Sequence, residues 1–344
     1  MEKATPYEHL RRVSTGYMRS SILGAAAELD CFTTILIHEN QCSAWLVAKK
    51  LEADPWGVEV LLDALAATGF LSKKGSGAQA MYSVPDEYRF LLDSRHPETC
   101  IPMLRHMAGG QRTWSRLTWT VKDGKPQERQ TSILGAEEDR VSFILGMNSV
   151  AMPLVGPTTA SLKEAGILSF SMPNPRILDV GGASGTYARA MLEAHPHASV
   201  TIFDLPLAIG QARKKFEGGD LQKRIDFVEG DFMEEALPKG YDLAWLSAII
   251  HAFGREECVH IYKNIHNALN PGGTLAIRDY FMDADRTSPP DGALFGVNML
   301  VNTAKGRVYT FDEARLDLEQ AGFRDIRLAV PSPSMSAVVT AKKE

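Results

Sequence analysis

Five ionisable side chains stand where an apolar run gives way to a turn: Asp179 in ILDVGG, Asp204 in TIFDLP, Asp231 in VEGDF, His251 in LSAIIHAFG and Asp279 in TLAIRDYF. If the runs are parallel strands, these groups gather at the carboxyl edge of one sheet, where open α/β sheets bind ligands. Carboxylates there can hold an ammonium or ribose hydroxyls. An imidazole, largely neutral at pH 7, can take a proton, and a carboxylate beside it can fix its tautomer. An isolated Asp is usually a solvated loop residue, and a strand-end histidine often does no more than satisfy a backbone group. The set of five is more specific than any member.

The glycine turn narrows the ligand. Ile177 to Gly185 reads as strand, turn and helix start, with Gly181, Gly182 and Gly185 in the turn. The dinucleotide fingerprint G-x-G-x-x-G begun at Gly181 needs glycine at 183 and 186, where Ala183 and Thr186 stand. No Gly-Lys-Ser or Gly-Lys-Thr follows, so the phosphate-binding loop is also excluded. Asp179 before the turn would repel a pyrophosphate at the helix N-terminus but suits a cationic amino group. S-adenosylmethionine meets these conditions: it has no phosphate, and it carries an ammonium and a sulfonium. Asp204 then falls where a carboxylate accepts both ribose hydroxyls. Asp231 and Phe232 suit the adenine amino group and ring.

The elements that must position these residues alternate from Pro175 onward: RILDVGG, TYARAMLEAHP, SVTIFDLP, AIGQARKKFE, IDFVEGDF, YDLAWLSAII, REECVHIYKNIHNAL and GGTLAIRDYF. The pattern predicts a doubly wound, mostly parallel, Rossmann-like α/β sheet, with YDLAWLSAII read as one strand ending at His251. TFDEARLDLEQAGF opens on a Thr310/Glu313 capping box and stops at Gly322. DIRLAVP and MSAVVTAKK close the sheet as an antiparallel hairpin. Upstream, SSILGAAAELDCFTTIL, SAWLVAKKL and PWGVEVLLDALAATGFL have helical spacing, with N-caps at Ser43 and Asp54, and a hairpin follows. Three helices and a hairpin make a winged helix. Its candidate recognition helix offers only Lys49 and Lys50 and nothing to read base edges, so packing or dimerisation is the better reading. The expected division is 1–96, a winged-helix dimerisation domain; 97–165, a helical linker and substrate lid; and 166–344, the Rossmann-like domain.

Bulk properties fit an ordinary soluble globular protein of two domains. The chain has 344 residues, a formal charge of -5, 44% hydrophobic and 23% charged residues, so neither nucleic acid nor membrane is an expected partner. Four scattered cysteines form no metal pattern. With no uninterrupted apolar run long enough to span a bilayer and no signal core, the expected location is cytoplasmic.

In order, the winged helix, LDVGGASG, FDLP, EGDF, LSAIIHAFG, NALNPGGTLAIRDYF and AGF make the chain resemble the S-adenosylmethionine-dependent O-methyltransferases of the caffeate and acetylserotonin type. The resemblance covers nearly the whole chain. PPDGALFGVNMLVNTAKGRVYTFDE is similar to a bacterial small-molecule branch. The resemblance implies a homodimer formed through the N-terminal domain, S-adenosylmethionine as cofactor and S-adenosylhomocysteine as product, with no metal. It places Gly181 at the turn, Asp204 and Leu205 at the ribose, Asp231 and Phe232 at the adenine, and Ser247 on the cofactor. Ala183 and Ser184 replace a more usual Gly-Thr, with the turn expected to stay intact. It makes His251 the general base and Asp279 its orienting acid. Ala252 stands where the family often has Asp, and a second flanking acid falls near Val308 and is missing. Met147, Asn148, Phe295, Asn298, Met299 and Asn302 are the candidate substrate contacts. The expected activity is methylation of a hydroxyl on a small aromatic or conjugated molecule. Carbon methylation of a tetrapyrrole or polyketide-like substrate, or a winged-helix regulator sensing S-adenosylmethionine, are the alternatives.

Overall fold

The structure of the protein, a computed structural model, describes residues 5–344. The chain divides into two compact units, one up to Arg112 together with Arg129–Ser149, the other Thr113–Glu128 with Val150–Glu344.

The first unit begins with helices α1 (Pro6–Ser14), α2 (Tyr17–Glu28), α3 (Cys31–Ile37), α4 (Ala44–Leu51) and α5 (Pro55–Ala67). An antiparallel hairpin of β1 (Ser72–Lys74) and β2 (Met81–Ser83) follows, then α6 (Ile101–Trp114). Its core is Ala26, Phe32, Ile35, Val47, Leu62, Leu65 and Tyr82, all buried. Ser43 caps α4 through Leu46 N–H, and Asp54 caps α5 through Gly57 N–H, each satisfying an otherwise orphaned first-turn donor. The first helical run is not continuous. Asp30 adopts a left-handed conformation, φ 59°, and its carboxylate accepts the Thr33 and Ser94 hydroxyls. Those local bonds offset a backbone state that asparagine and aspartate tolerate better than most residues. Helix α1 buries no residue and leaves Tyr7, Leu10 and Val13 exposed.

In the second unit, α7 (Leu117–Asp123) precedes α8 (Ala136–Glu164), a helix that starts in the first unit. By length and composition α8 could cross a membrane, although its apolar run is interrupted, as the sequence expectation has it. An average tolerates the polar residues scattered along it, such as Asn148 and Ser149, whereas a count of uninterrupted apolar residues does not. Core helices of water-soluble proteins meet the same criterion.

Then come β3 (Arg176–Val180), α9 (Thr186–Ala194), β4 (Ser199–Asp204), α10 (Pro206–Phe216), β5 (Ile225–Glu229), β6 (Tyr241–Ser247), α11 (Arg255–Ala268) and β7 (Leu269–Asp279). The chain ends with β8 (Phe281–Met282), α12 (Pro290–Asn302), β9 (Tyr309–Thr310), α13 (Phe311–Gln320), β10 (Arg324–Val330) and β11 (Ala337–Lys342). One seven-stranded sheet has the order β10-β11-β7-β6-β3-β4-β5. Its strands β3 to β7 are parallel, and β11 runs antiparallel to β7 and β10. Alternate residues of each strand face opposite layers. Leu178, Val180, Leu246 and Ile277 pack toward α11 and α13, while Ile177, Ile202, Trp245 and Ala276 pack toward α9 and α10. The Thr310/Glu313 capping box and the antiparallel tail are both present. Strand β6 ends at Ser247 rather than His251. Ala248, at φ 57°, turns the chain out of the sheet, and a short 3-10 turn, Ile250–Ala252, follows.

Candidate active site

The glycine turn after β3 is shaped by what crowds it. A Cβ on Gly181, itself at φ 70°, would lie 2.6 Å from the Ile249 Cδ1 and 3.7 Å from the Phe232 ring. One on Gly182 would lie 2.6 Å from Asp179 Oδ2. Gly185 begins α9. Ala183 also sits in the left-handed region, φ 48°, so the turn keeps its course with alanine at a conformation that favours glycine. The turn is intact, as expected from sequence, at the cost of local strain.

Three adjacent strands, β3, β4 and β5, carry the three carboxylates at or just past their ends. Asp179 is 2% exposed, and its Oδ2 has no hydrogen-bond partner. Burial, then the neighbouring Asp204 charge, push its pKa up to about 7. Asp204 accepts the backbone N–H of Ala183 at 2.8 Å and of Leu205 at 2.7 Å. Burial raises its pKa and these two bonds oppose the rise. Beside it Leu205 is 53% exposed. Asp231 accepts Met233 N–H at 2.9 Å, and Phe232 packs edge-on against Phe253. An orphaned buried carboxylate oxygen, a turn too crowded for a Cβ at 181 or 182 and the exposed Leu205 beside Asp204 fit S-adenosylmethionine. The Asp179 carboxylate would suit an ammonium, Asp204 with Leu205 a ribose, and Phe232 a flat ring. Among the described residues no group of three or more His, Cys, Asp or Glu is placed to hold a metal.

His251 and Asp279 come together. The imidazole Nδ1 lies 2.9 Å from both Asp279 oxygens, so Nδ1 donates to the carboxylate and Nε2 is the nitrogen left for another partner. Both side chains are buried, Asp279 completely. Asp279 is held in turn by the Tyr280 N–H at 2.8 Å. From the other side, Arg307 N–H donates to the His251 carbonyl at 2.9 Å. A Cβ on Gly306 would collide with that carbonyl. Val308 is buried and supplies no carboxylate.

The candidate substrate residues separate. Phe295 stands edge-on to the His251 ring, centroids 4.7 Å apart, and also contacts Tyr280. Met299 is buried. Asn298 Oδ1 accepts from both Trp114 Nε1 and Asn302 Nδ2, each at 3.0 Å, so these amides tie α12 to the Trp114 segment. Met147 and Asn148 belong to the first unit. Sequence reasoning missed Gly306, Arg307 and Ile249, whose signals are the glycine in TAKGRVYT and the apolar pair before the histidine. It also missed Arg278, a lone charge in the apolar strand TLAIRDYF, whose Nη1 donates to Ser247 Oγ at 2.9 Å.

Comparison with known proteins identifies the family. Residues 114–324 match the O-methyltransferase domain, and residues 12–92 match the O-methyltransferase dimerisation domain. The chain is 29% identical to acetylserotonin O-methyltransferase of Bos taurus over 347 residues, 98% of each chain. It is also 29% identical to the tetracenomycin polyketide synthesis 8-O-methyl transferase TcmO of Streptomyces glaucescens, over 97% of this chain and 98% of that one. Human N-acetylserotonin methyltransferase, solved in complex with S-adenosylmethionine, superposes with a TM-score of 0.79 over 99% of both chains at 26% identity. The chain belongs to the O-methyltransferase family, whose members use S-adenosylmethionine to methylate small molecules.

Proposed function

We propose that this enzyme methylates a hydroxyl of a small aromatic or conjugated molecule, with His251 as general base and Asp279 as the group that orients it. The observation that carries this reading is the His251 Nδ1 held between both Asp279 oxygens at 2.9 Å. When bound, S-adenosylmethionine supplies an electrophilic methyl carbon. His251 Nε2 takes the substrate hydroxyl proton as the oxygen becomes nucleophilic, and Asp279 stabilises the resulting imidazolium. Phe295 and Tyr280 offer ring faces beside the base, which favours a flat substrate. The relatives are named for acetylserotonin and for a tetracenomycin polyketide, which supports the same substrate class.

Asp179 at the ammonium, Asp204 and Leu205 at the ribose, and Asp231 with Phe232 at the adenine form the proposed cofactor site. The exposed apolar side chains of α1 are proposed to be covered by a second copy of the chain, in keeping with the dimerisation domain that begins at residue 12, near the end of this helix.

The test incubates the enzyme with S-adenosylmethionine and a panel of phenols, hydroxynaphthoates and hydroxylated polyketides, reading a gain of about 14 Da by mass spectrometry. His251→Ala should abolish turnover of any accepted substrate with S-adenosylhomocysteine affinity nearly unchanged. Undiminished transfer by that variant would remove His251 from the mechanism.

A further inference from the structure

Arg278 is a full charge set inside the protein. It is 3% exposed, and its guanidinium stacks 5.1 Å from the Tyr187 ring centroid. Its Nη1 donates to Ser247 Oγ, its Nε has no partner, and it forms no ion pair among the described residues. Burial pushes its pKa down. Its chain neighbour Asp279 is on the opposite face of β7, committed to His251. A buried cation without an anion is costly, and arginines are rarely interred unless paired.

On the same sheet face, across β6, lies the complementary case. Asp179 is a buried carboxylate with an orphaned oxygen, level with Trp245, which in turn is level with Ala276, two residues before Arg278. The Tyr187 ring packs against both Arg278 and Trp245, the residue level with Asp179. An uncompensated guanidinium and an uncompensated carboxylate around one aromatic floor match the two ends of an α-amino acid.

We propose that Arg278 binds the carboxylate of the amino-acid end of the cofactor, Ser247 holding its guanidinium in position, while Asp179 faces the ammonium. The proposal rests on the cofactor site described above. A guanidinium is suited to this task because it offers paired donors to a planar carboxylate.

Isothermal titration of the full chain with three probes tests it: S-adenosylhomocysteine, its decarboxylated analogue, and 5′-methylthioadenosine, which lacks the amino-acid end. Arg278→Met is expected to lose about 10- to 100-fold in affinity for S-adenosylhomocysteine, with the other two probes bound as by the wild type. Arg278→Lys should recover part of the loss. An equal fall for all three probes, or no fall for S-adenosylhomocysteine, overturns the proposal in favour of a packing role. If thermal melts show Arg278→Met unfolded, Arg278→Lys and Ser247→Ala carry the same test. Each should weaken S-adenosylhomocysteine alone, and a uniform or absent effect overturns the anchor. A wild-type protein that binds none of the probes refutes the cofactor site itself, and this proposal with it.

Discussion

Gly306 lies against the carbonyl oxygen of His251, closer than any side chain could approach. The contact lets the segment after α12 fold over the peptide of the proposed base, where Arg307 N–H donates to the same carbonyl. A methyl group at 306 must push either the loop or the His251 backbone aside. Since displacement of about 1 Å at a reacting centre costs about 10²-fold, Gly306→Ala should lower kcat by roughly that factor. Affinity for S-adenosylhomocysteine should stay within about twofold. Steady-state kinetics beside isothermal titration separates the two, and an unchanged kcat would show that the loop yields without moving the histidine.

Asp279→Asn addresses the tautomer rather than the position. The amide can donate to Nδ1, which would move the imidazole proton to Nε2 and take away the lone pair the substrate needs. Loss of kcat by about 10³-fold or more is expected, on the scale of removing the carboxylate from a catalytic triad. Nitrogen NMR of the labelled imidazole reads the tautomer directly. A variant with less than about tenfold loss would mean that another group orients His251.

The five ionisable residues at strand ends were legible because parallel strands deliver their carboxyl termini to one edge whatever the loops do. Asp179, Asp204 and Asp231 therefore fall together from the strand pattern alone. What surrounds His251 was not legible, for two physical reasons. The strand ends early because Ala248 adopts a left-handed conformation, which alanine does not announce. The contacts of Gly306 with His251 and of Arg278 with Ser247 join residues 55 and 31 positions apart in the chain, so only pairing register and loop closure reveal them. Asn298 and Asn302, candidates for orienting a substrate, bond to each other, and Asn298 also accepts from Trp114. Helical spacing cannot say whether an amide faces a ligand or a neighbouring side chain.

Ala183 holds φ 48° in the turn, where an L side chain costs about 1 kcal/mol relative to glycine. Ala183→Gly should therefore stabilise the protein by about 1 kcal/mol and raise the melting temperature by about 2 °C. The gain is tempered by the greater chain entropy of glycine in the unfolded state. Differential scanning calorimetry measures it. A fall in melting temperature would mean that the alanine methyl makes a packing contact worth more than the strain.

The buried carboxylate of Asp179 gives the site a pH dependence whose sign follows from its environment. Its pKa in the unliganded protein is raised from 3.8 to about 7, by burial first and the charge of Asp204 second. Folding thus favours the protonated form, so the Asp179 contribution to stability is present below about pH 4 and is lost as pH rises toward 7. A ligand ammonium works in the opposite direction, because it stabilises the ionised carboxylate and lowers its pKa. Below pH 7, binding of S-adenosylhomocysteine must therefore expel a proton from Asp179, and affinity should climb with pH until it levels off near 7. Titration at pH 6 in two buffers of different ionisation enthalpy counts that proton. Asp204 is also raised by burial, so the comparison that isolates Asp179 is Asp179→Asn. That variant should bind more weakly above pH 7 and lose most of the proton release below it. If the variant releases as many protons as the wild type, the titrating group is not Asp179, and the pairing of this carboxylate with the cofactor ammonium fails.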